Sequence, residues 1–402
     1  PDVSPPETLD VSDAASGLRG YLSIDSLVGG RCGGGVRMMP DVTAHLMAQL
    51  ARGMTLKYAF LGIPIGGAKA GIVCAEDASR EEKLRLLEAF GSKIGRLLYG
   101  GIYNPGSDMG TDDHLISCML EASGVRQRLG EVSAVSGFFT GATAVAGAGA
   151  AATLLGIDLA RASVAVEGFG KVGSSAAEGF ARLGARVVAV STIHGAVYNP
   201  DGLSVERLIG SFRLNGSRFV EHFDGAERIE REKLLELDVD VLSPCAGQTI
   251  TLDNAPRVRA RLVSPGANIP LTDEAEAYLT GRGTVCLPDF VTSSGGVLGL
   301  AMSFGGFGES EILDFISTHF ARRVSALVEA SLARGVSVRR QAEEECMGRF
   351  VRMKARVESR SPFARAFRFG GRLLEGGLLP GFVKRAIGRW YFPRMVGGAM
   401  WR

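Results

Sequence analysis

The chain has 402 residues, enough for two domains with cores of their own, and its 46% hydrophobic and 22% charged residues exclude a disordered or fibrous protein. Six cysteines (Cys32, Cys74, Cys118, Cys245, Cys286, Cys346) include no C-x-x-C pair, and five histidines fall in no H-x-x-x-H or H-E-x-x-H spacing. A disulfide framework or zinc site is therefore not expected, Cys245 and Cys286 read as small buried apolar groups, and a reducing cytoplasm is the simplest compartment. The net charge of +2 hides an asymmetry: from Val351 to Arg402 there are 12 basic against 2 acidic residues, which leaves 33 basic and 41 acidic in the rest.

The first ten residues, PDVSPPETLD, carry no secretory pattern and open without methionine, as a trimmed start would. Residues 1–19 read as a polar lead-in, Leu18–Ile24 as a strand, and Gly29–Met39 as a glycine-dense turn. Apolar spacing at Val42, Leu46, Leu50 and Met54 predicts a helix over 42–60, with Pro40-Asp41 before it. Lys57 sits near its end. A strand-like turn over Ile63–Val73 then carries Lys69 between Gly-Gly-Ala and Ala-Gly. A lysine among glycines and aliphatics loses hydration, which disfavours its charged form and lowers its pKa, so Lys69 reads as a proton-transfer group. Ser79 and Glu82 form a capping-box pattern for a helix ending near Tyr99. Asp108 follows in the glycine-punctuated run Asn104–Thr111, before a helix over Thr111–Ser123. Taken singly, Lys57 reads equally as a solvated helix lysine and Asp108 as a helix cap.

Val132–Ile157 is uncharged for 26 residues, but it is mostly Ala, Gly, Ser and Thr. A membrane span needs about 20 predominantly apolar residues, so a buried small-residue helix over Thr140–Gly156, crossing into a second domain, is expected instead. Next comes an apolar strand, Ala162–Glu167, then Gly168-Phe169-Gly170-Lys171-Val172-Gly173, a helix over Ser174–Leu183 closed by Gly184, and a second strand, Arg186–Ser191. A lone G-x-G-x-x-G is weak, but between a strand and a helix in a strand–helix–strand unit it marks a dinucleotide site, with the pyrophosphate on the helix N-terminus. Where an acidic residue would hold the adenosine ribose, the chain has Thr192, then Ile193 and His194, which leaves NAD and NADP both open. Further strands are expected over Asp238–Ser243, Arg261–Val263 and Thr284–Leu287, with turns at Pro244–Gly247, Gly266–Asn268 and Pro288–Asp289 facing the cofactor.

Together, Gly34-Gly35-Val36-Arg37, Met54-Thr55-Leu56-Lys57, Gly66-Gly67-Ala68-Lys69-Ala70-Gly71, Asp108-Met109-Gly110-Thr111, Gly168–Gly173, Gly266-Ala267-Asn268-Ile269-Pro270 and Pro288-Asp289-Phe290-Val291 with Gly295-Gly296-Val297 resemble the glutamate/leucine/phenylalanine/valine dehydrogenase superfamily over roughly residues 20–300. The resemblance implies an α/β architecture. An N-terminal substrate domain (1–139) would precede a Rossmann-type NAD(P)-binding domain (140–300), with a C-terminal helical, basic extension (301–402). It implies that Lys57 binds the substrate carboxylate, that Lys69 activates water, and that Asp108 shuttles a proton. Gly34, Gly35, Ser293, Val297 and Leu300 would line the substrate. Thr140, Gly168, Phe169, Gly170, Lys171, Val172, Gly173, Thr192, Ala246 and Asn268 would hold the cofactor. A homo-oligomer is implied in the same way.

Two departures bear on the substrate. Glutamate-specific members resemble K-G-G-x-R where this chain has Gly33, and G-G-V-x-x-S where it has Leu300. Losing a cation and a hydroxyl and gaining a leucine points to an apolar L-amino acid such as leucine, valine or phenylalanine, with glutamate or a non-catalytic regulatory subunit as the alternatives. Beyond Phe304, an amphipathic helix over Glu309–Arg334 is expected to pack back on the first domain or bridge to it, and a charged one is expected over Gln341–Val357. The Arg- and aromatic-rich segment Ser361–Arg402 reads as an arm on a neighbouring subunit, or as a contact for an anionic partner.

Overall fold

The computed structural model describes residues 5–125, 136–362, 364–365 and 380–401. Residues 132–135 of the uncharged run and 366–379 of the basic segment lie outside them. The chain divides into two compact units, one of Pro1–Ala134 with Cys346–Arg402, the other of Val135–Glu345. The segment 301–402 is thus shared between the units rather than forming a body of its own.

The first unit is built on a five-stranded sheet of β1 (Glu7–Asp13), β2 (Leu18–Ile24), β3 (Cys32–Met39), β4 (Gly66–Val73) and β5 (Tyr103–Ser107), in the order β1-β2-β4-β3-β5. β1 pairs antiparallel with β2 and β2 with β4, while β3 runs parallel to both β4 and β5. The expected lead-in therefore contains an edge strand. It buries only Val11 and shows no apolar alternation to read. The glycine run turns at Gly29-Gly30, where both φ are positive, and from Cys32 onward it is a strand: at Gly34 any Cβ would collide with the Ala68 carbonyl on β4. Glycine here lets two backbones approach closely, its usual meaning inside a strand. The Asn104–Thr111 run begins as β5, paired with β3.

Four helices follow this sheet's strands in sequence: α1 (Ala44–Leu61), α2 (Arg80–Lys93), α3 (Gly95–Tyr99) and α4 (Asp113–Ala122). Thr43 caps α1 by accepting from Leu46 N, and Ser79 caps α2 by accepting from Glu82 N, as the sequence pattern requires. Leu86, Leu87 and Phe90 of α2 and Ile116 and Met119 of α4 pack with Leu18, Leu22, Val36 and Ile72 of the sheet to form the core.

The second unit holds a seven-stranded sheet ordered β12-β11-β10-β6-β7-β8-β9. Its strands are β6 (Ser163–Glu167), β7 (Arg186–Thr192), β8 (Gly195–Tyr198), β9 (Glu227–Ile229), β10 (Val241–Pro244), β11 (Leu262–Val263) and β12 (Val285–Cys286). The five strands from β12 to β7 are parallel and form the expected doubly wound sheet. The antiparallel strands β8 and β9, of which β9 is the sheet edge, have no strong signal in the sequence, being only 4 and 3 residues long.

The helices of this unit are α5 (Ser136–Leu154), α6 (Lys171–Arg182), α7 (Val205–Asn215), α8 (Asp273–Gly281), α9 (Asp289–Thr292), α10 (Gly295–Phe304), α11 (Glu309–Phe315), α12 (Ala321–Arg334) and α13 (Val338–Glu358), the last of which ends in the first unit. By length and composition α5 could cross a membrane, but it lies inside this unit, and 56% of its most apolar window is buried. Thr143 Oγ1 donates to Thr292 O at 2.7 Å, and Gly141 lies against Ser175 of α6. α11 and α12 are joined by a π-helical turn, Ile316–Phe320; α12 and the turn pack on α5, and all three belong to the second unit.

In the first unit, the end of α13 and a last helix, α14 (Gly381–Val396), fold back on α1. Arg349 Nη1 donates to Phe60 O at 2.6 Å and to Val396 O at 3.2 Å, and Trp401 Nε1 donates to Gly62 O at 2.8 Å. Trp401 is 1% exposed, so the described end of the basic segment is docked on its own chain. Trp401→Ala is expected to destabilise the first unit by about 3 kcal/mol, as loss of a buried large aromatic does. Chemical denaturation followed in that unit measures this, and a loss below about 0.5 kcal/mol would contradict the docking.

Candidate functional site

Three parallel neighbours, β4, β3 and β5, bring three charged side chains together in the first unit. Lys69 stands on β4, Arg37 on β3, and Asp108 directly follows β5. The Lys69 ammonium touches Asp108 Oδ2, and Arg37 Nη2 lies 3.6 Å from Asp108 Oδ1. The carboxylate is held in place locally. Its Oδ1 accepts from Met109 N at 2.6 Å, while its own backbone N donates to Thr111 Oγ1, which in turn donates to Val36 O on β3. Asp108 is therefore not the cap of the following helix; Asp112 is, accepting from Leu115 N.

Lys69 and Lys57 are 3% and 5% exposed. Lys57 is thus no solvated surface lysine, because α1 turns that face toward the sheet. Burial, and after it the Arg37 and Lys57 cations, push the Lys69 pKa well below the ordinary lysine value, against the pull of the Asp108 carboxylate. Gly34 and Gly35 form the floor beside this cluster. Tyr103 Oη donates to Gly34 O, and a Cβ on Gly35 would lie 2.9 Å from Asp108 Cβ. Arg37 is the member of this cluster that the sequence reading left out of its site. Its signal was its place in Gly-Gly-x-Arg, one strand residue after Val36.

In the second unit, the loop after β6 has the geometry expected of a dinucleotide site. Gly168 has φ +87° and donates from its N to Ser191 Oγ at the end of β7. Gly173 packs where any Cβ would collide with Gly168 O. Gly170, the N-cap of α6, faces open space, and no side chain caps the first-turn amides behind it. An open backbone cradle with unfilled helix N–H groups fits a pyrophosphate. Exposed Lys171 begins the helix, and Val172 and Ala246 lie against Gly266 and Gly168.

Two of the expected cofactor residues take different parts from those their side chains suggest. Phe169 is buried against Phe212 and Phe219, with ring centroids 5.7 and 5.3 Å away, so only its backbone faces the loop. Thr192 donates to Ser217 O at 2.8 Å and accepts from His194 N at 3.1 Å, so its hydroxyl is occupied in closing the turn after β7. Thr140 links α5 to α10 by accepting from Gly296 N at 3.1 Å, and Ser293 Oγ donates to Asn268 Oδ1 at 3.1 Å. Val297 and Leu300 follow on α10, with Leu300 37% exposed.

Comparison with known proteins matches both halves in order. Residues 7–123 fit the Glu/Leu/Phe/Val dehydrogenase dimerisation domain, and residues 134–314 fit the Glutamate/Leucine/Phenylalanine/Valine dehydrogenase family. A glutamate dehydrogenase of Thermotoga maritima is 38% identical over 295 residues, covering 69% of this chain and 70% of that protein. The NAD-specific glutamate dehydrogenase A of Halobacterium salinarum is 35% identical, covering 69% and 66%. Among solved structures, the hetero-hexameric glutamate dehydrogenase of Thermus thermophilus in its Leu-bound form superposes with a TM-score of 0.74 at 29% identity, covering 89% of this chain and 90% of that one. An L-tryptophan dehydrogenase from Nostoc punctiforme, 22% identical at a TM-score of 0.61, shares the fold. With both domain families matched, and a relative of this identity covered over most of its length, the chain belongs to the glutamate/leucine/phenylalanine/valine dehydrogenase family of amino acid oxidoreductases, which use NAD or NADP.

Proposed function

We propose that the chain catalyses the reversible oxidative deamination of an apolar L-amino acid to its 2-oxo acid and ammonia. The observation that carries this reading is the buried Lys69–Asp108–Arg37 cluster with Lys57 beside it. A nicotinamide cofactor held on the Gly168–Gly173 loop would supply the acceptor for the hydride of the substrate Cα. Lys57, a cation on a buried helix face, holds the substrate carboxylate. Asp108 accepts a proton from the amino group as the hydride leaves, which gives the imino acid. Lys69, its pKa lowered by burial and by the Arg37 and Lys57 cations, takes a proton from water as the oxygen attacks the imino carbon, and ammonia departs.

The apolar preference rests on Gly33 and Leu300. Gly33 places no cation there for a distal carboxylate, and a Cβ at that position would meet the side-chain ends Tyr58 Oη and Ile65 Cδ1 at 2.8 and 3.2 Å. Oxidative deamination of a panel of L-amino acids with NAD⁺ and NADP⁺ tests the reading. Glutamate as the best substrate would overturn its apolar part.

The loop glycines offer a separate check on the cofactor site. Gly170→Ala adds a methyl into open space and is expected to leave the melting temperature unchanged while weakening cofactor affinity about tenfold. Gly173→Ala meets the Gly168 carbonyl and is expected to destabilise the second unit itself. Cofactor titration with thermal unfolding separates the two. Equal affinity in Gly170→Ala and the parent protein would place the pyrophosphate elsewhere.

A non-catalytic partner subunit is the second reading, favoured by the hetero-hexameric assembly of the Thermus thermophilus protein. The intact Lys69–Asp108 pair weighs against it, and an oligomer of identical chains is the assembly we favour. All six cysteines are free, in keeping with a reducing cytoplasm.

A further inference from the structure

Among the described residues, Ile269 is the single non-glycine residue with positive φ, at +48°. A β-branched side chain there is an outlier, because its branches crowd the backbone in the left-handed region. Such strain persists only where the surroundings over-determine it, and it collects at functional sites. Ile269 directly follows Asn268.

The surroundings supply the restraint from both sides. Before the turn, Gly266 N and Ala267 N both donate to Pro244 O, at 2.9 and 3.1 Å. After it, Pro270 O accepts from Thr249 N and Ile250 N, at 3.1 and 3.0 Å. The strained residue itself is held by a side chain, Ile269 N donating to Asp289 Oδ2 at 3.0 Å. Asp289 is fixed in turn by Arg339 of α13, whose Nη2 donates to Asp289 Oδ1 at 2.8 Å. The Nε of the same guanidinium donates to Glu276 Oε2 at 2.7 Å, and its plane lies over the Phe290 ring, 5.7 Å from the centroid. Both carboxylates are 8% exposed. Two buried carboxylates repel, and without the cation between them neither keeps its geometry. A planar fork reaching both at once is something arginine provides and lysine does not.

We propose that Arg339 is a positioning residue: through Asp289 it holds Ile269 in its strained conformation and so aims the Asn268 carboxamide at the nicotinamide side of the site. The proposal rests on the dehydrogenase reading for what Asn268 faces, but not for the restraint itself. Arg339 touches neither substrate nor cofactor. It acts two side chains away.

The test compares the full-length parent with Arg339→Met, Arg339→Lys, Ile269→Gly and the double variant Arg339→Met/Ile269→Gly, by amide hydrogen exchange, titration with reduced cofactor and steady-state kinetics. In Arg339→Met, exchange in the segment 266–271 is expected to rise about tenfold while the rest of the second unit keeps parental rates. kcat should fall about tenfold with the reduced-cofactor Kd changed less than about threefold. The double variant should recover much of the lost kcat, because glycine adopts positive φ without a restraint. Parental exchange and parental kcat in Arg339→Met would overturn the proposal. So would a uniform rise in exchange through the unit, which marks a merely structural residue. If Arg339→Met does not fold, Arg339→Lys carries the same comparison. A parent protein with no turnover would overturn the dehydrogenase reading instead, and exchange in 266–271 would still decide this one.

Discussion

Lys69→Ala is expected to lower kcat by about 10³-fold, roughly 4 kcal/mol of transition-state stabilisation, with a much smaller change in KM. The size follows from the role. A positioned general base contributes within this range, and Lys69 is a buried amine in contact with Asp108. Its pH dependence gives a sharper check. Burial and the nearby Arg37 and Lys57 cations hold the Lys69 pKa well below the ordinary lysine value, so the rate of deamination in the parent should rise with pH as Lys69 loses its proton. That rise should vanish in the alanine variant. Stability carries the same sign. Between the lowered folded pKa and the ordinary value, the unfolded chain binds a proton that the folded chain does not, so folding becomes more favourable as pH rises through that window. Lys69→Met should flatten this slope. A pH–rate profile of unchanged shape in Lys69→Ala would remove Lys69 from the proton-transfer step.

Leucine, valine or phenylalanine is expected to exceed glutamate in kcat/KM by about 100-fold or more. An unpaired carboxylate buried without a cation costs several kcal/mol, and about 1.4 kcal/mol is a factor of ten. The competing effect runs the other way. Relatives of this chain are named as glutamate dehydrogenases, and identity of 38% leaves room for a shared substrate. What decides between them is local. Position 33 is a glycine bordered by Tyr58 and Ile65, with no cation, and position 300 presents a leucine. Leu300→Ser should reduce kcat/KM for the apolar substrate and narrow the gap to glutamate, without reversing it while Gly33 remains. Parallel kinetics on the parent and on Leu300→Ser read both effects. A ratio near one in the parent would mean that another cation meets the distal carboxylate.

The sequence by itself determined a good deal. The helices α1, α2, α4 and α6 and the parallel strands β6, β7 and β10 were legible because their apolar periodicity, caps and glycine stops are local properties of the chain. The dinucleotide loop was legible for the same reason, since strand, glycines and helix follow one another directly. The burial of Lys69 was visible in its apolar, glycine-rich neighbours.

Other features depended on partners distant in sequence. Gly34 looks like part of a turn until Ala68 of a neighbouring strand explains why no side chain fits there. The edge strands β1 and β9 bury too little to leave a pattern, and β8 is too short to show one. Arg37 joins Asp108 only because β3 pairs with β5, across about seventy residues of chain. Thr192, set where a ribose ligand is expected, spends its hydroxyl on Ser217 O. The basic C-terminal segment reads as an arm for a neighbouring subunit or an anionic partner because charge is visible in sequence, while the Gly62 carbonyl that receives Trp401 is 339 residues away. Local propensity wrote the elements and the loop into the chain; burial and long-range pairing, which no short stretch encodes, decided which charges meet.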